Sequence, residues 1–147
     1  MLLQVSELIA AICAALFAGA ALYINVAEHP ARMGLETRVA ALQWAPSYER
    51  ATWMQLPLAL LSVIGGVAAW LMGAGLGWLV AALLIGMVVP FTLVCVMPTN
   101  HKLLAPGRDL GSPETRMLLK RWGNLHAVRT TLSLLAAVLF MWLLSGA

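Results

Sequence analysis

Histidine, arginine and asparagine side chains recur at helical spacing beside the apolar stretches of this 147-residue sequence. Asn25 lies four residues before His29, and His126 lies three residues before Arg129, so each pair projects from one helix face. A histidine with its ordinary pKa near ~6.5 is suited to act as a general base or acid. Arg129 and Asn100 could hold a carbonyl oxygen or an oxyanion. The predicted catalytic set is therefore Asn25, His29, Asn100, His126 and Arg129.

Aromatic residues occur at the same kind of spacing and suggest flat walls for a planar substrate. Trp44 precedes Tyr48 by four residues, and Trp122 precedes His126 by four residues. Thr99 stands at the end of an apolar stretch, beside the predicted catalytic asparagine. We therefore predict that the substrate is bound by Trp44, Tyr48, Thr99 and Trp122.

These residues leave the cofactor open. His29 and His126, with Glu28, would supply two imidazoles and one carboxylate, a set that suits non-haem iron. No HxxxH or ExxH spacing fixes that geometry, so the leading interpretation has no metal. Histidines on two helices of a bundle can also ligate haem, and the same pocket could hold a quinone. The alternatives are thus no cofactor, haem, non-haem iron or a quinone.

The composition indicates a membrane protein. Hydrophobic residues make up 62% of the chain and charged residues 10%, whereas roughly a quarter of residues are charged in soluble domains. A soluble protein this apolar would lack the polar surface to cover itself. The net charge of +3 is interpreted as a topology signal, and no nucleic-acid partner is expected. Cys13 and Cys95 lie in apolar runs without CxxC spacing, which argues against a disulfide framework or a zinc site.

Stretches without Asp, Glu, Lys or Arg locate the membrane spans. They lie between Glu7 and Glu28, between Arg50 and Lys102, and after Arg129. Because a helix needs roughly 20 apolar residues to cross the hydrocarbon layer, these stretches hold one, two and one spans. The chain is predicted to be a single transmembrane domain, residues 1–147, with spans near 5–27, 52–72, 78–97 and 124–145.

Glycine and proline positions add detail to these spans. Three glycines between residues 73 and 77 favour a tight turn between the second and third spans. The Gly65-Gly66 pair would let neighbouring helices approach closely. Pro90 is predicted to kink the third span. The fold class is therefore all-α, an integral membrane four-helix bundle.

Two segments outside the spans carry most of the charge. Residues 31–50 interleave apolar and charged side chains, which predicts a short interfacial amphipathic helix between helices 1 and 2. Pro46-Ser47 is predicted to end that helix. Ser112-Pro113-Glu114 has the pattern of an N-cap and first turn, and predicts where the fourth helix begins.

The basic residues predict the orientation of the chain. All nine lysines and arginines lie on or beside segments 28–51 and 98–123. The positive-inside rule then places these charged loops in the cytoplasm and both termini on the outer side. We expect an integral membrane protein, located in a bacterial inner membrane, whose first partner is the lipid bilayer. The oligomeric state is left open.

The residues singled out above resemble the anthrone oxygenase-like family of small four-helix membrane proteins. The resemblance rests on ALYINVAEHP at residues 21–30, Trp44 with Tyr48, Pro98-Thr99-Asn100, and Trp122 followed by Leu125-His126 and Arg129. It implies a reaction that introduces oxygen into an anthrone-type polyketide to give a quinone. It also implies that the site residues are Asn25, His29, Asn100, His126 and Arg129.

Three functional hypotheses follow. The leading one is a membrane-embedded oxygenase-like enzyme with a pocket at the cytoplasmic face for a hydrophobic, aromatic or polyketide-like small molecule. The second is a membrane module that binds haem, a metal or a quinone. The third is a non-enzymatic accessory or transport protein. Proton-coupled transport is disfavoured because every Asp and Glu lies at or beyond a membrane interface.

Overall fold

The apolar stretches fold as helices because every backbone N–H and C=O group in lipid must be bonded within its own segment. The computed structural model describes residues 1–146. Its four long helices are α1 (Leu2–Met33), α2 (Thr37–Ala74), α3 (Leu76–Leu103) and α4 (Pro113–Leu144), each long and apolar enough to cross a membrane. No strand occurs within residues 1–146. The predicted all-α fold with four such helices is confirmed.

The helices form a bundle in which α1 and α3 each pack against both α2 and α4. Consecutive helices are antiparallel neighbours, as in other bundles with short connections. Residues 34–36 and 104–112, which connect α1 to α2 and α3 to α4, therefore lie together at what we call the loop end. The glycine turn between α2 and α3 lies with the termini at the opposite turn end.

Small residues bring the helices together toward the turn end. Gly73 and Gly75 have φ of 93° and 100°, which only glycine adopts readily, so the turn lies where the sequence predicted it. A Cβ atom on Gly65 would lie 2.8 Å from the backbone oxygen of Ser6. The Ser62 hydroxyl donates to the carbonyl of Ala10 at 2.8 Å. The predicted role of Gly65 in close helix packing is confirmed.

Three helices contain a turn that departs from regular α-geometry, including Trp70–Ala74 at the end of α2. The helix α1 widens into a π-helical turn at Ile24–Glu28, and α3 does so at Thr92–Val96. The helix α3 is also interrupted at Met87, where its first segment ends at Gly86. The ring of Pro90 accounts for this interruption, because a proline clashes with the carbonyl four residues before it. Widened turns of this kind often lie at functional sites.

The predicted separate amphipathic helix between helices 1 and 2 is wrong. His29–Met33 continues α1, and Thr37 already begins α2, which runs through Pro46 without a break. Pro46 and Leu42, whose carbonyl loses its partner to the proline, are both exposed, so the lost bond can be replaced by solvent. The predicted start of α4 is confirmed, because the Ser112 hydroxyl accepts the N–H of Thr115 at 3.2 Å.

Candidate functional site

Asn25 fixes the tautomer of the neutral His126 imidazole. Its Nδ2 donates to the carbonyl of Gly123 at 3.1 Å, and its Oδ1 lies 2.7 Å from Nδ1 of His126. A carbonyl can only accept, so the amide nitrogen of Asn25 faces Gly123 and the amide oxygen faces the imidazole. Nδ1 of neutral His126 therefore carries the proton, and Nε2 keeps its lone pair. The Thr130 hydroxyl also donates to Oδ1 of Asn25.

The aromatic residues form a connected group around Trp122. The ring centroid of Trp122 lies 4.9 Å from that of His126, 5.3 Å from that of His29 and 5.8 Å from that of Trp44. Trp44 in turn stacks on Tyr48, with centroids 5.2 Å apart and planes 7° apart. The structure thus brings five of the predicted site residues into direct contact. Trp44 is 1% exposed, so the ring of Tyr48 covers it instead of a substrate.

His29 has different surroundings from His126. It is buried, its Nδ1 lies 3.5 Å from Nη1 of Arg32, and its ring rests on the Cα of Gly123, where a Cβ would overlap it. Gly123 therefore contacts both Asn25 and His29, which confirms that those two residues share a helix face. The packing of His29 suits a structural role against α4 better than proton transfer.

The carboxylate of Glu28 is occupied by its own neighbours. It forms an ion pair with Arg32 and accepts the hydroxyl of Ser47. Within residues 1–146 no group of three or more His, Cys, Asp or Glu side chains is placed to hold a metal ion. The alternative iron set of His29, His126 and Glu28 is thus not assembled, because Arg32 holds the carboxylate. Trp122 contacts both imidazoles, and the ring of His29 rests on Gly123.

Arg129 lies one turn from His126 along α4, toward the turn end. Its Nη2 donates to Oε1 of Gln55 at 3.0 Å, and its guanidinium carbon lies 5.7 Å from the ring centroid of Phe17. The ion pairs within residues 1–146 are Arg32–Glu28 and Arg108–Glu114, so Arg129 has no carboxylate partner in this part of the chain. A cation–π contact with Phe17 offsets only part of the cost of placing a charge inside the bundle.

A cavity of about 140 Å³ lies between α2 and α3 and reaches Arg129. Leu56 and Leu93 line it and are exposed on the apolar outer surface, so the cavity opens on that surface. A second space of about 10 Å³ adjoins it and is lined by His126. The two spaces share four lining residues: Tyr48, Thr52, Gln55 and Arg129.

The predicted site residues on the third helix, α3, lie beside the site, and Asn100 reaches it through Met97. Asn100 is fully buried, and its Nδ2 lies 3.8 Å from Sδ of Met97. The Tyr48 hydroxyl donates to the same sulfur at 3.8 Å. Asn100 thus approaches Tyr48 through Met97, while the amide beside Arg129 is that of Gln55. Thr99 is buried on the same short segment.

Gln55, Thr130 and Arg32 were missed by the sequence reasoning. Tyr48, Thr52 and Gln55 follow one another at helical spacings of four and three, so a polar stripe on α2 could have indicated Gln55. Arg32 was counted as a loop charge, although it is only 3% exposed. The four-residue spacing of Glu28 and Arg32 was the available signal for that ion pair. Thr130 has no comparable sequence signal.

Comparison with known proteins gives a consistent family. Anthrone oxygenase tpcL from Aspergillus fumigatus is 40% identical over 72 residues, which cover 46% of this chain and 44% of that relative. The chain therefore spans less than half of the length of this curated relative. No solved structure matches the chain. The family model for anthrone oxygenase matches residues 44–139, which is more than half of the chain, so the chain belongs to the anthrone oxygenase family.

Proposed function

We propose that this protein is a membrane-embedded oxygenase for a hydrophobic aromatic ketone of the anthrone or polyketide type. The observation that carries the proposal is that a cation, Arg129, and a base, His126, both line the space of about 10 Å³ that adjoins the larger cavity. Arg129 has no carboxylate partner within residues 1–146, and His126 lies one turn away with its Nε2 free to take a proton. Family membership and the name of the relative supply the substrate class.

The proposed chemistry starts with the CH₂ group of the anthrone, whose C–H bond is acidified by the ketone through the fused aromatic rings. His126 removes the proton as a general base, and the charge that develops on the ketone oxygen is stabilised by Arg129. The electron pair left on carbon forms the C–O bond with O₂. One oxygen atom stays as the new quinone carbonyl and the other leaves as water, so a CH₂ group and one O₂ give one C=O and one H₂O. No outside reductant is needed.

The route of the substrate follows from the position of the cavity. Its mouth lies between exposed Leu56 and Leu93, on a surface that faces lipid. A planar apolar ketone dissolved in the bilayer would enter sideways, with its oxygen toward Arg129. Tyr48 lines both spaces and offers a ring face along that path. We therefore keep Tyr48 as a substrate-binding residue and assign Trp44 the role of supporting it.

The proposed orientation places the loop end in the cytoplasm. All nine lysines and arginines lie on the segments near that end, and both termini lie at the other. A fluorescent-protein fusion at the C-terminus should stay dark if that terminus is exported, while an alkaline phosphatase fusion there should be active. The reverse pattern would contradict the proposed orientation in a bacterial inner membrane.

Oxygen consumption by the purified protein in lipid nanodiscs tests the function. With anthrone as substrate we expect one O₂ consumed per quinone formed, and one labelled oxygen atom in the quinone when ¹⁸O₂ is supplied. Empty nanodiscs are the control, because anthrones also oxidise without a protein. A rate equal to that control would contradict the proposal. Stoichiometric iron, copper or haem in the active protein would contradict the cofactor-free step.

A further inference from the structure

We infer that Gln55 and Arg129 form a two-donor site for one substrate oxygen, and that Gln55 makes the pocket select ketones over hydrocarbons of the same shape. The inference rests on the proposed function, because it assigns the atoms that hold the ketone during proton removal. It adds a positioning and specificity residue on α2 that the chemistry of His126 and Arg129 does not require.

The orientation of the Gln55 amide is set by its neighbour. Oε1 of Gln55 accepts from Nη2 of Arg129 at 3.0 Å. A guanidinium has donors only, so the amide oxygen must face it and the amide nitrogen must face elsewhere. Gln55 is 2% exposed, and its Nε2 has no hydrogen-bond acceptor within residues 1–146.

Arg129 offers a second donor beside the first. Its Nε is also buried without an acceptor in the described part of the chain. Both side chains line the space of about 10 Å³ that His126 also lines. A volume of roughly 10–15 Å³ holds a single water-sized group. The space therefore fits one oxygen atom, with the remainder of the ligand in the larger cavity toward lipid.

The energetics favour an oxygen ligand at this place. A buried donor without an acceptor is destabilising, and the two residues that carry such donors here, Gln55 and Arg129, both line this space. A ketone oxygen accepts from both donors through its two lone pairs. A developing enolate oxygen would in addition balance the guanidinium charge. A hydrocarbon of equal size would leave both donors unpaired.

Gln43 provides a matched control on the same helix. Its Oε1 also accepts from an arginine, Arg32, but it is exposed and lines a different surface pocket. A Gln→Glu change at either position keeps the acceptor for the arginine and removes the amide donor. Only at position 55 should this change affect the bound oxygen.

Binding under nitrogen tests the inference with anthrone and with dihydroanthracene, which lacks the oxygen. We expect Gln55→Leu and Gln55→Glu each to weaken anthrone binding about tenfold, the loss of one buried hydrogen bond. Dihydroanthracene binding should not change in either variant, and Gln43→Glu should change neither ligand. The infrared carbonyl stretch of bound anthrone should rise in frequency in both Gln55 variants.

Equal weakening of both ligands, or no weakening of anthrone, would overturn the two-donor site. An unchanged carbonyl frequency in Gln55→Glu would overturn it as well, even if Gln55→Leu fails to fold. Selective, Gln55-dependent anthrone binding by a protein that forms no quinone would support the site and contradict the proposed function. Quinone formation with unaltered ligand selectivity in the Gln55 variants would support the proposed function and contradict the two-donor site.

Discussion

The turn end and the loop end of the bundle use the same four helices but different side chains. Toward the turn end the buried cluster consists mainly of alanines, with Phe17, Trp78 and Phe140 filling the space between them. Toward the loop end Trp44 and Trp122 are buried beside the rings of Tyr48, His29 and His126. Most of the buried polar residues lie toward that end: His29, Arg32, Gln55, Thr99, Asn100, Thr115, His126 and Thr130.

The turn end supplies the packing that holds the helices together, and the loop end supplies the polar side chains that could do chemistry. Helices in lipid associate through close packing of small residues, which the turn end supplies. Buried polar groups are costly at such depth and are usually retained for function. The loop end keeps several of them without partners in the described residues, including Nε2 of Gln55 and Nε of Arg129. A change at the loop end should therefore alter turnover, and a change at the turn end should alter stability.

The largest expected effect is that of His126→Ala. Loss of the general base should lower turnover per folded molecule on the order of 100- to 10,000-fold, and truncation of this buried ring should also lower the unfolding midpoint. Quinone formation in nanodiscs measures the first and thermal unfolding the second. His101→Ala is the control, because His101 is exposed on the same end of the bundle. Near-wild-type turnover in His126→Ala would exclude His126 as the base.

Asn25→Leu should give the next largest effect. Without the amide oxygen, Nδ1 of His126 loses the partner that fixes its tautomer, and a lost buried partner is worth about 10- to 100-fold. Asn25→Asp should recover part of the turnover, because a carboxylate still accepts from Nδ1. Asn124→Leu, at an exposed position, should have no effect. Equal losses in the Leu and Asp variants would argue against control of the tautomer.

Gly65→Leu tests the turn end. The new side chain would overlap the backbone of Ser6 and Ala10, and overpacking costs about 1–3 kcal/mol of unfolding free energy. Turnover per folded molecule should stay at the wild-type value. Gly19→Ala is the control, since a Cβ there meets no atom within 4 Å. A loss of turnover per folded molecule would show that the two ends are coupled.

Ser62→Ala should have the smallest effect. It removes the hydrogen bond to the carbonyl of Ala10, and such bonds between membrane helices contribute about 0.6 kcal/mol on average. Chemical unfolding in detergent, compared with the wild-type chain, measures this small decrease. A decrease as large as that of Gly65→Leu would mean that hydrogen bonding, more than close packing, holds α1 to α2.

The sequence predicted the number and type of the helices better than the residues at which they begin and end. The stretches without charge located four helices, and the glycines located the turn, because lipid leaves the backbone few other choices. The same reasoning wrongly separated residues 37–50 from α2. A proline ends a helix where the backbone hydrogen bond that it removes cannot be replaced. Pro46 is exposed on the bundle surface, so its helix continues.

The sequence by itself determined the helical membrane fold and the grouping of Asn25, His126 and Arg129 near one end. Composition and spacing suffice for this, since each acts within a single helix. Only the tertiary structure decided that Asn25 bonds His126, that His29 packs on Gly123, and that Gln55 stands beside Arg129. These contacts join different helices, and the widened turn at Ile24–Glu28 shifts the faces that meet. Spacing within one helix carries no information about the helix that packs against it.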